Sequence, residues 1–221
     1  VGTTLEKAVK HCLLSYIELL VFVSYSVKLK SHRPLTESEL IQGLKEGDES
    51  AFKELVDTHK DRVYNTALGI VQNAEDAEDV AQEVFIQVFR SIHSFKGDAK
   101  LSTWLYRIAT TRSLDLLRSK KSKKRFGIIQ RLFGESDEPA FEIPDFNHPG
   151  IALEQKENAA RLFRAISQLP ENQKIAFTLH KLEDLSYQEV SEVMQTTVPA
   201  VESLMHRAKL NLRKILEKEI G

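Results

Sequence analysis

Apolar residues recur along this chain at helical spacing, in blocks separated by turn residues. Leu40, Ile41 and Leu44 are followed by a break at Gly47-Asp48, after which Phe52, Leu55, Val56, Val63 and Leu68 continue the stripe. Residues 36–68 therefore read as helix interrupted once. Asn73 then suits an N-cap, with Glu75 and Asp76 in a first turn where the helix dipole is positive. Along that helix Ala77, Val80, Ala81, Val84, Phe85 and Val88 form a broad buried face. Asp79, Gln82, Glu83, Ile86 and Arg90 lie opposite. Ile86 thus sits exposed within a polar surface, a pattern shared by docking patches and by isolated surface apolar residues.

A turn, Ser94 to Asp98, carries Phe95 and leads into a helix from Lys100 to Arg125. Leu101, Leu105, Ile108 and Leu116 give it a core face, while Trp104, Arg107, Thr111 and Arg118 recur along its edge. A tryptophan at helical spacing also suits a core. Beside guanidinium groups and a hydroxyl, however, it supplies the chemistry for holding unstacked bases and their phosphates. The basic run from Lys120 to Arg125 has no apolar period and fits either a solvated tail or a phosphate backbone. From about Ser122 to Pro149 basic residues, Gly, Pro and acidic residues mix without period, which reads as a flexible linker with a short helix at Ile128 to Phe133.

A second module begins near Gly150. A helix with Leu153, Leu162, Phe163 and Ile166 inward ends before Leu169-Pro170, and Pro170 opens a helix burying Ile175, Ala176 and Leu179. Ser186-Tyr187-Gln188-Glu189 is a capping box for a short helix through Met194. After a turn from Gln195 to Val198, Pro199 starts a long helix with Val201, Leu204, Met205, Ala208 and Leu212 inward and Glu202, Ser203, His206, Arg207 and Lys209 outward. Short helix, tight turn and longer helix make a helix-turn-helix; a plain three-helix bundle shares the pattern. The fold class is all-α, with two small helical domains.

Composition changes this picture in one respect. The 221 residues, 42% hydrophobic and 29% charged, are ordinary for a soluble globular chain of one large or two small domains. A formal net charge of −1 argues against a nucleic-acid partner only if the charge is evenly spread. It is segregated: about ten basic residues between Lys100 and Arg131 face the single Asp115, and acidic stretches run from Glu75 to Glu83 and Glu135 to Asp145. Cys12 is the only cysteine, so neither an intrachain disulfide nor a cysteine-based zinc site can form, and a reducing, cytoplasmic setting fits. From Cys12 to Val27 the chain is mostly apolar, but the stretch is shorter than the roughly 20 residues of a spanning helix and contains Glu18. No small-residue cleavage site of the usual form follows it. Residues 1–35 are expected to lie outside the folded unit, as an extension or a misplaced start.

Several stretches together resemble the bacterial RNA polymerase sigma factors of the small, two-domain extracytoplasmic-function (ECF) group. They are Gly47-Asp48 with Ala51-Phe52, DAEDVAQEVFIQVFRSI from Asp76 to Ile92, SFKGDAKLSTWLYRIAT followed by Asp115 and Arg118, Leu169-Pro170, LSYQEVSEVM and VESLMHRAK. The resemblance runs from about Leu40 to Leu216 and implies sigma region 2 over residues 36–121, a linker over 122–149 that threads polymerase channels, and sigma region 4 over 150–221. It implies that Asp79, Gln82, Glu83, Ile86 and Arg90 dock on core polymerase. Phe95, Lys100, Trp104, Arg107, Thr111, Arg118, Lys120 and Lys121 would serve the −10 element and a base flipped from its strand, at a stacking cost of a few kcal/mol. Ala200, Glu202, Ser203, His206, Arg207 and Lys209 would read the −35 duplex from the major groove.

Three residues, at two places, depart from the family pattern. Thr111 stands where many relatives have Asn, offering one hydroxyl in place of an amide donor and acceptor. Glu202 and Pro199 stand where many have a basic residue and Gly; a Glu accepts from cytosine N4, so the −35 preference should differ. The implied partners are core RNA polymerase, promoter DNA and, left open, an anti-sigma factor, with no cofactor, metal or small-molecule substrate. A stand-alone helix-turn-helix regulator binding duplex is the alternative, against which the acidic helix and the Trp104 helix argue. An enzyme is disfavoured: the nine glycines form no phosphate loop or dinucleotide fingerprint, and no His/Glu set has metalloenzyme spacing.

Overall fold

The structure, a computed structural model, describes residues 35–131 and 153–220, with side chains over 35–122 and 160–218. The N-terminal stretch before Leu35, the expected linker beyond Arg131 and the side chain of Leu153 lie outside the described residues. Those described are helical and turn segments without a strand.

Helix α1, Glu37–Glu46, stops at Gly47, whose φ of 75° is the left-handed conformation open to glycine. Its amide bonds back to the Leu44 carbonyl at 3.2 Å, and the next amide to the Gly43 carbonyl at 2.9 Å. Asp48 then caps α2, Glu49–Val71, by accepting from the Ser50 amide at 2.8 Å, which holds its carboxyl below the usual range. Gln72, again left-handed, closes α2, and the Asn73 side chain accepts from the Asp76 amide at 2.9 Å to start α3, Ala74–Ser91. A 3-10 turn, Ile92–Ser94, leads to α4, Leu101–Arg131.

These helices enclose a core built on Leu55, Val63, Val84, Val88, Leu101 and Leu105. Each of these residues is at most 2% exposed, and burial contributes about 1.5–3 kcal/mol for an aliphatic side chain of that size. Of the apolar positions assigned inward on α3, Ala81 is only half-buried; the other five are buried.

The second module comprises α5 (Leu153–Ser167), α6 (Glu171–Phe177), a π turn (Thr178–Leu182), α7 (Tyr187–Met194) and α8 (Val198–Ile220). Pro170 is the N-cap of α6, one place before the expected helical position. Ser186 and Glu189 form the complete capping box of α7, and Gln195, at φ 51°, makes the turn into α8. The α7–turn–α8 unit is a helix-turn-helix. Ile166, Leu179, Val190, Val201 and Met205 form its core. Leu162, expected inward, is 37% exposed: α5 buries Phe163, Ala165 and Ile166 and leaves its neighbour at the margin.

Two further departures concern α4. It runs on through residues 122–131, the first part of the stretch read as linker and four of the six residues of the separate helix expected at Ile128 to Phe133. Lys, Arg and Ser carry no apolar period, yet Lys and Arg are good helix formers and their charge suits a helix C-terminus. The core face of α4 is also wider than the Leu101, Leu105, Ile108, Leu116 stripe. Thr103, Tyr106, Ala109, Thr110 and Ser113 are buried on it, whereas Ile108 and Leu116 are half-buried.

That width reflects a seam between the modules. Ile70 of α2 and Tyr106 of α4, 1% and 3% exposed, belong to the apolar core of the second module, and Leu117 touches both cores. Residues 37–221 accordingly form one contact unit.

Candidate nucleic-acid interface

Three surfaces carry the residues singled out by sequence. On α3, Asp79, Glu83 and Arg90 are exposed, and Gln82 and Ile86 are half-buried, so Ile86 is less open than its place on the helix suggests. Sequence reasoning missed Phe89, 54% exposed three residues on, whose ring meets Phe52 of α2 edge-on with centroids 5.7 Å apart. A phenylalanine next to the buried Val88 reads as core by composition; only its angular position, one turn from Ile86, gives it away.

On α8, Glu202, Ser203, His206, Arg207 and Lys209 all point to solvent, and Ala200 is half-exposed. Buried Val201, Met205 and Ala208 fix which face that is. Arg207 donates from Nε to the Ser203 carbonyl at 3.3 Å, leaving the fork end of its guanidinium outward. The Thr197 hydroxyl accepts from the Ala200 amide at 3.4 Å, so the helix start that would approach a groove is capped by its own side chain.

The third surface, around the start of α4, differs from the open face that sequence implies. Phe95 is 7% exposed and lies beneath Trp104, centroids 5.1 Å apart, so it supports the indole instead of offering its own face. Trp104 and Arg107 wall a cleft of about 170 Å³ with the Ser94–Ala99 turn, where Gly97 adopts φ 80°. Arg107 is not free: its Nε donates to the Glu192 carbonyl of α7 at 3.0 Å. Lys100 pairs with Glu189 of α7 at 3.2 Å, and Arg118 lies 3.6 Å from Glu171 of α6. Lys120 is held by Asp76 of α3, with Nζ 2.6 Å from Oδ1. The Thr111 hydroxyl donates to the Arg107 carbonyl at 2.8 Å. Lys121 is exposed.

Trp104, Arg107 and Thr111 thus lie together near the start of α4, Arg118, Lys120 and Lys121 lie further along it, and the second module shares the surface. Gln195, at the helix-turn-helix bend, lines a second depression of about 400 Å³ together with Trp104, Arg107, Thr111 and Asp115.

The chemistry of the three surfaces is that of recognition. Among the described residues no group of three His, Cys, Asp or Glu side chains is placed to hold a metal ion, and no helix is long and apolar enough to cross a membrane. A helix-turn-helix with an open reading face, joined in one chain to a basic helix bearing a tryptophan, defines a two-module DNA-recognition protein.

Comparison with known proteins narrows the class. The family model "Sigma-70 region 2" matches residues 55–123, and "Sigma-70, region 4" matches residues 159–212. The chain is 32% identical over 181 residues to the RNA polymerase sigma-H factor of Pseudomonas aeruginosa, covering 82% of this chain and 94% of that one. It is 33% identical over 178 residues to the ECF RNA polymerase sigma factor SigW of Bacillus subtilis, covering 80% and 94%. Its fold resembles that of the sigma factor RpoE in complex with the anti-sigma factor NepR from Bartonella quintana, at TM-score 0.56 and 17% identity, covering 75% and 96%. The chain belongs to the ECF group of RNA polymerase sigma factors. The reading as a stand-alone duplex-binding regulator gives way to this one.

Proposed function

We propose a division of labour among the three surfaces of this sigma factor. The outward face of α3, with Asp79, Gln82, Glu83, Ile86 and Arg90, docks on core polymerase, and Phe89 extends the apolar part of that contact. The turn before α4 and the helix itself receive the −10 element, with the cleft between Trp104, Arg107 and residues 94–99 holding an unstacked base. Phe95 takes part from below, through the indole it supports. The outward face of α8 reads the −35 duplex, with Arg207 and Glu202 aimed at base edges and Lys209 at phosphate. Residues 36–121 and 150–221 are the two functional domains, and α4 prolongs the first of them to Arg131.

The observation that carries this reading is the pairing, in one chain and in this order, of the Trp104 cleft with a capped, outward-facing helix-turn-helix. The protein performs no bond chemistry itself; it lends sequence recognition and strand opening to the polymerase, and works in the cytoplasm without a cofactor. An anti-sigma partner, of the kind bound to RpoE, completes the proposed partner set.

The test is initiation by the purified chain with bacterial core polymerase on a pooled promoter library, with start sites mapped. Discrete starts preceded by shared −35 and −10 sequences are expected, and their consensus would show what Glu202 and Thr111 select. Specific duplex binding by the chain alone, with no polymerase-dependent start, would overturn the proposal.

A further inference from the structure

Helix α4 begins without a cap of its own. Lys100 stands at the N-cap position and carries no accepting side-chain atom, and the first turn of the helix holds no acid. The unpaired amides of a helix start, and the positive end of its dipole, favour an acceptor there. It comes from 64 residues away: Oε1 of Glu37, the first residue of α1, accepts from the Leu101 amide at 3.0 Å.

The far end of α1 holds the opposite end of the same turn. Lys45, in the last turn of α1, donates from Nζ to the Phe95 carbonyl at 3.3 Å. The helical rise from Glu37 to Lys45 is about 12 Å, so one short rod spans the turn from Phe95 to Leu101. Between the two anchors the turn reaches open space: a Cβ on Gly97, at φ 80°, would meet no atom within 4 Å. Leu40 and Leu44, 7% and 5% exposed, seat α1 itself in the core.

Both anchors act on the Trp104 cleft, and neither Glu37 nor Lys45 lines it. Phe95 supports the indole from below, centroids 5.1 Å apart, so the bond to its carbonyl fixes that support. The Leu101 amide opens the helix that carries Trp104 and Arg107 within its first two turns, so the bond to Glu37 fixes where those walls begin. A binding site keeps its selectivity when supporting contacts hold its walls to within about 0.5 Å.

We propose that α1 is a brace for the −10 cleft: Glu37 and Lys45 are positioning residues that fix the two ends of the turn, and with them the gap between its backbone and Trp104, without touching DNA. The proposal rests on the assignment of that cleft to an unstacked −10 base. It adds a task for α1 that its amphipathic pattern does not announce.

The test uses the full-length chain with core polymerase, on one promoter and its single-base variants across the −10 element. Glu37→Ala should lower open-complex formation, read by permanganate reactivity of the melted strand, about tenfold, the order by which losing a helix cap shifts an equilibrium. It should also narrow the preference among the −10 variants severalfold. Affinity for core polymerase should be unchanged, because Glu37 is exposed and Leu40 and Leu44 still seat the helix. Glu37→Gln keeps an accepting oxygen at the same reach and should retain most of the opening and the preference. Lys45→Met, which keeps the apolar stem without the donor, should give a smaller loss of the same kind. Full base preference in Glu37→Ala, or a Gln variant as impaired as the Ala variant, would overturn the brace while leaving the cleft assignment standing. So would a loss of core affinity equal to the loss of opening, which marks a loosened domain. A wild-type chain with no base preference at the −10 element would instead remove the cleft assignment, and the brace with it.

Discussion

The two surfaces proposed to face DNA are prepared differently. The α8 face is ready-made: five polar or charged side chains point outward from a helix whose other side is locked into a core. The α4 face is assembled but engaged, with Phe95 under Trp104 and with Arg107 and Lys100 bonded to α7. The contrast matches the targets. Duplex base edges are available at any time to a rigid helix in the major groove, whereas an unstacked base exists only after strands part. A surface for the second can stay covered until then.

The comparison can be broken most severely at the proposed docking helix, on which the use of both surfaces would depend. Replacing Ile86 by Asp should weaken binding to core polymerase about 30-fold, the loss typical of a small interface hot spot, while the fold survives because Ile86 lies outside the buried core. Unchanged affinity in a direct titration with core enzyme would count against the docking face. Both promoter elements should lose use together.

Next come substitutions that separate the two surfaces. Trp104→Ala should reduce initiation about 5- to 100-fold through lost base stacking, at promoters with and without a −35 element alike. Arg207→Ala should cost about tenfold, confined to promoters that need the −35 element. An equal loss on every duplex would make Arg207 a phosphate contact instead. Should both variants lose the same promoters in proportion, the division between the surfaces is wrong.

The smallest effect expected is one of pH. Burial raises the Glu183 carboxyl from 4.5 to about 7, the Tyr106 hydroxyl and Arg62 pull it down, and Asp184 pushes it up. Its Oε1 has no hydrogen-bond partner. The packed state therefore favours the protonated acid: the contribution to packing is full below about 4.5 and is lost as the pH rises through about 7. Compactness by small-angle scattering should decrease modestly between pH 5 and 8, and Glu183→Gln should flatten that slope. A slope surviving the substitution belongs to another group.

The local structure was legible because its determinants are local. Asn73 and the Ser186/Glu189 box announce helix starts by a side chain reaching a nearby amide, and Gly47-Asp48 joins a left-handed stop to a cap. The inward and outward faces of α8 follow from a period of 3.6. Within the candidate sites, the grouping of Trp104, Arg107 and Thr111 was legible for the same reason. Their engagement was not. The seam is made by Ile70, Tyr106, Thr178 and Glu183, tens of residues apart, and the wider buried face of α4 includes hydroxyl-bearing Thr103, Thr110 and Ser113, which an apolar stripe does not count. Periodicity reports that a face is buried; it does not name the partner. The continuation of α4 to Arg131 was missed because charged helix turns lack the apolar stripe by which helices are recognised.

The close approach at Gly69 also bears on which substitutions the chain tolerates far from its recognition surfaces. Beside the seam at Ile70 and Tyr106, a Cβ on Gly69 would lie 2.5 Å from Thr178 Cγ2, so a mutation that adds a single methyl group there forces the Thr178 side chain or the helix to shift, and is felt in the packing of the two modules without touching any of the three recognition surfaces.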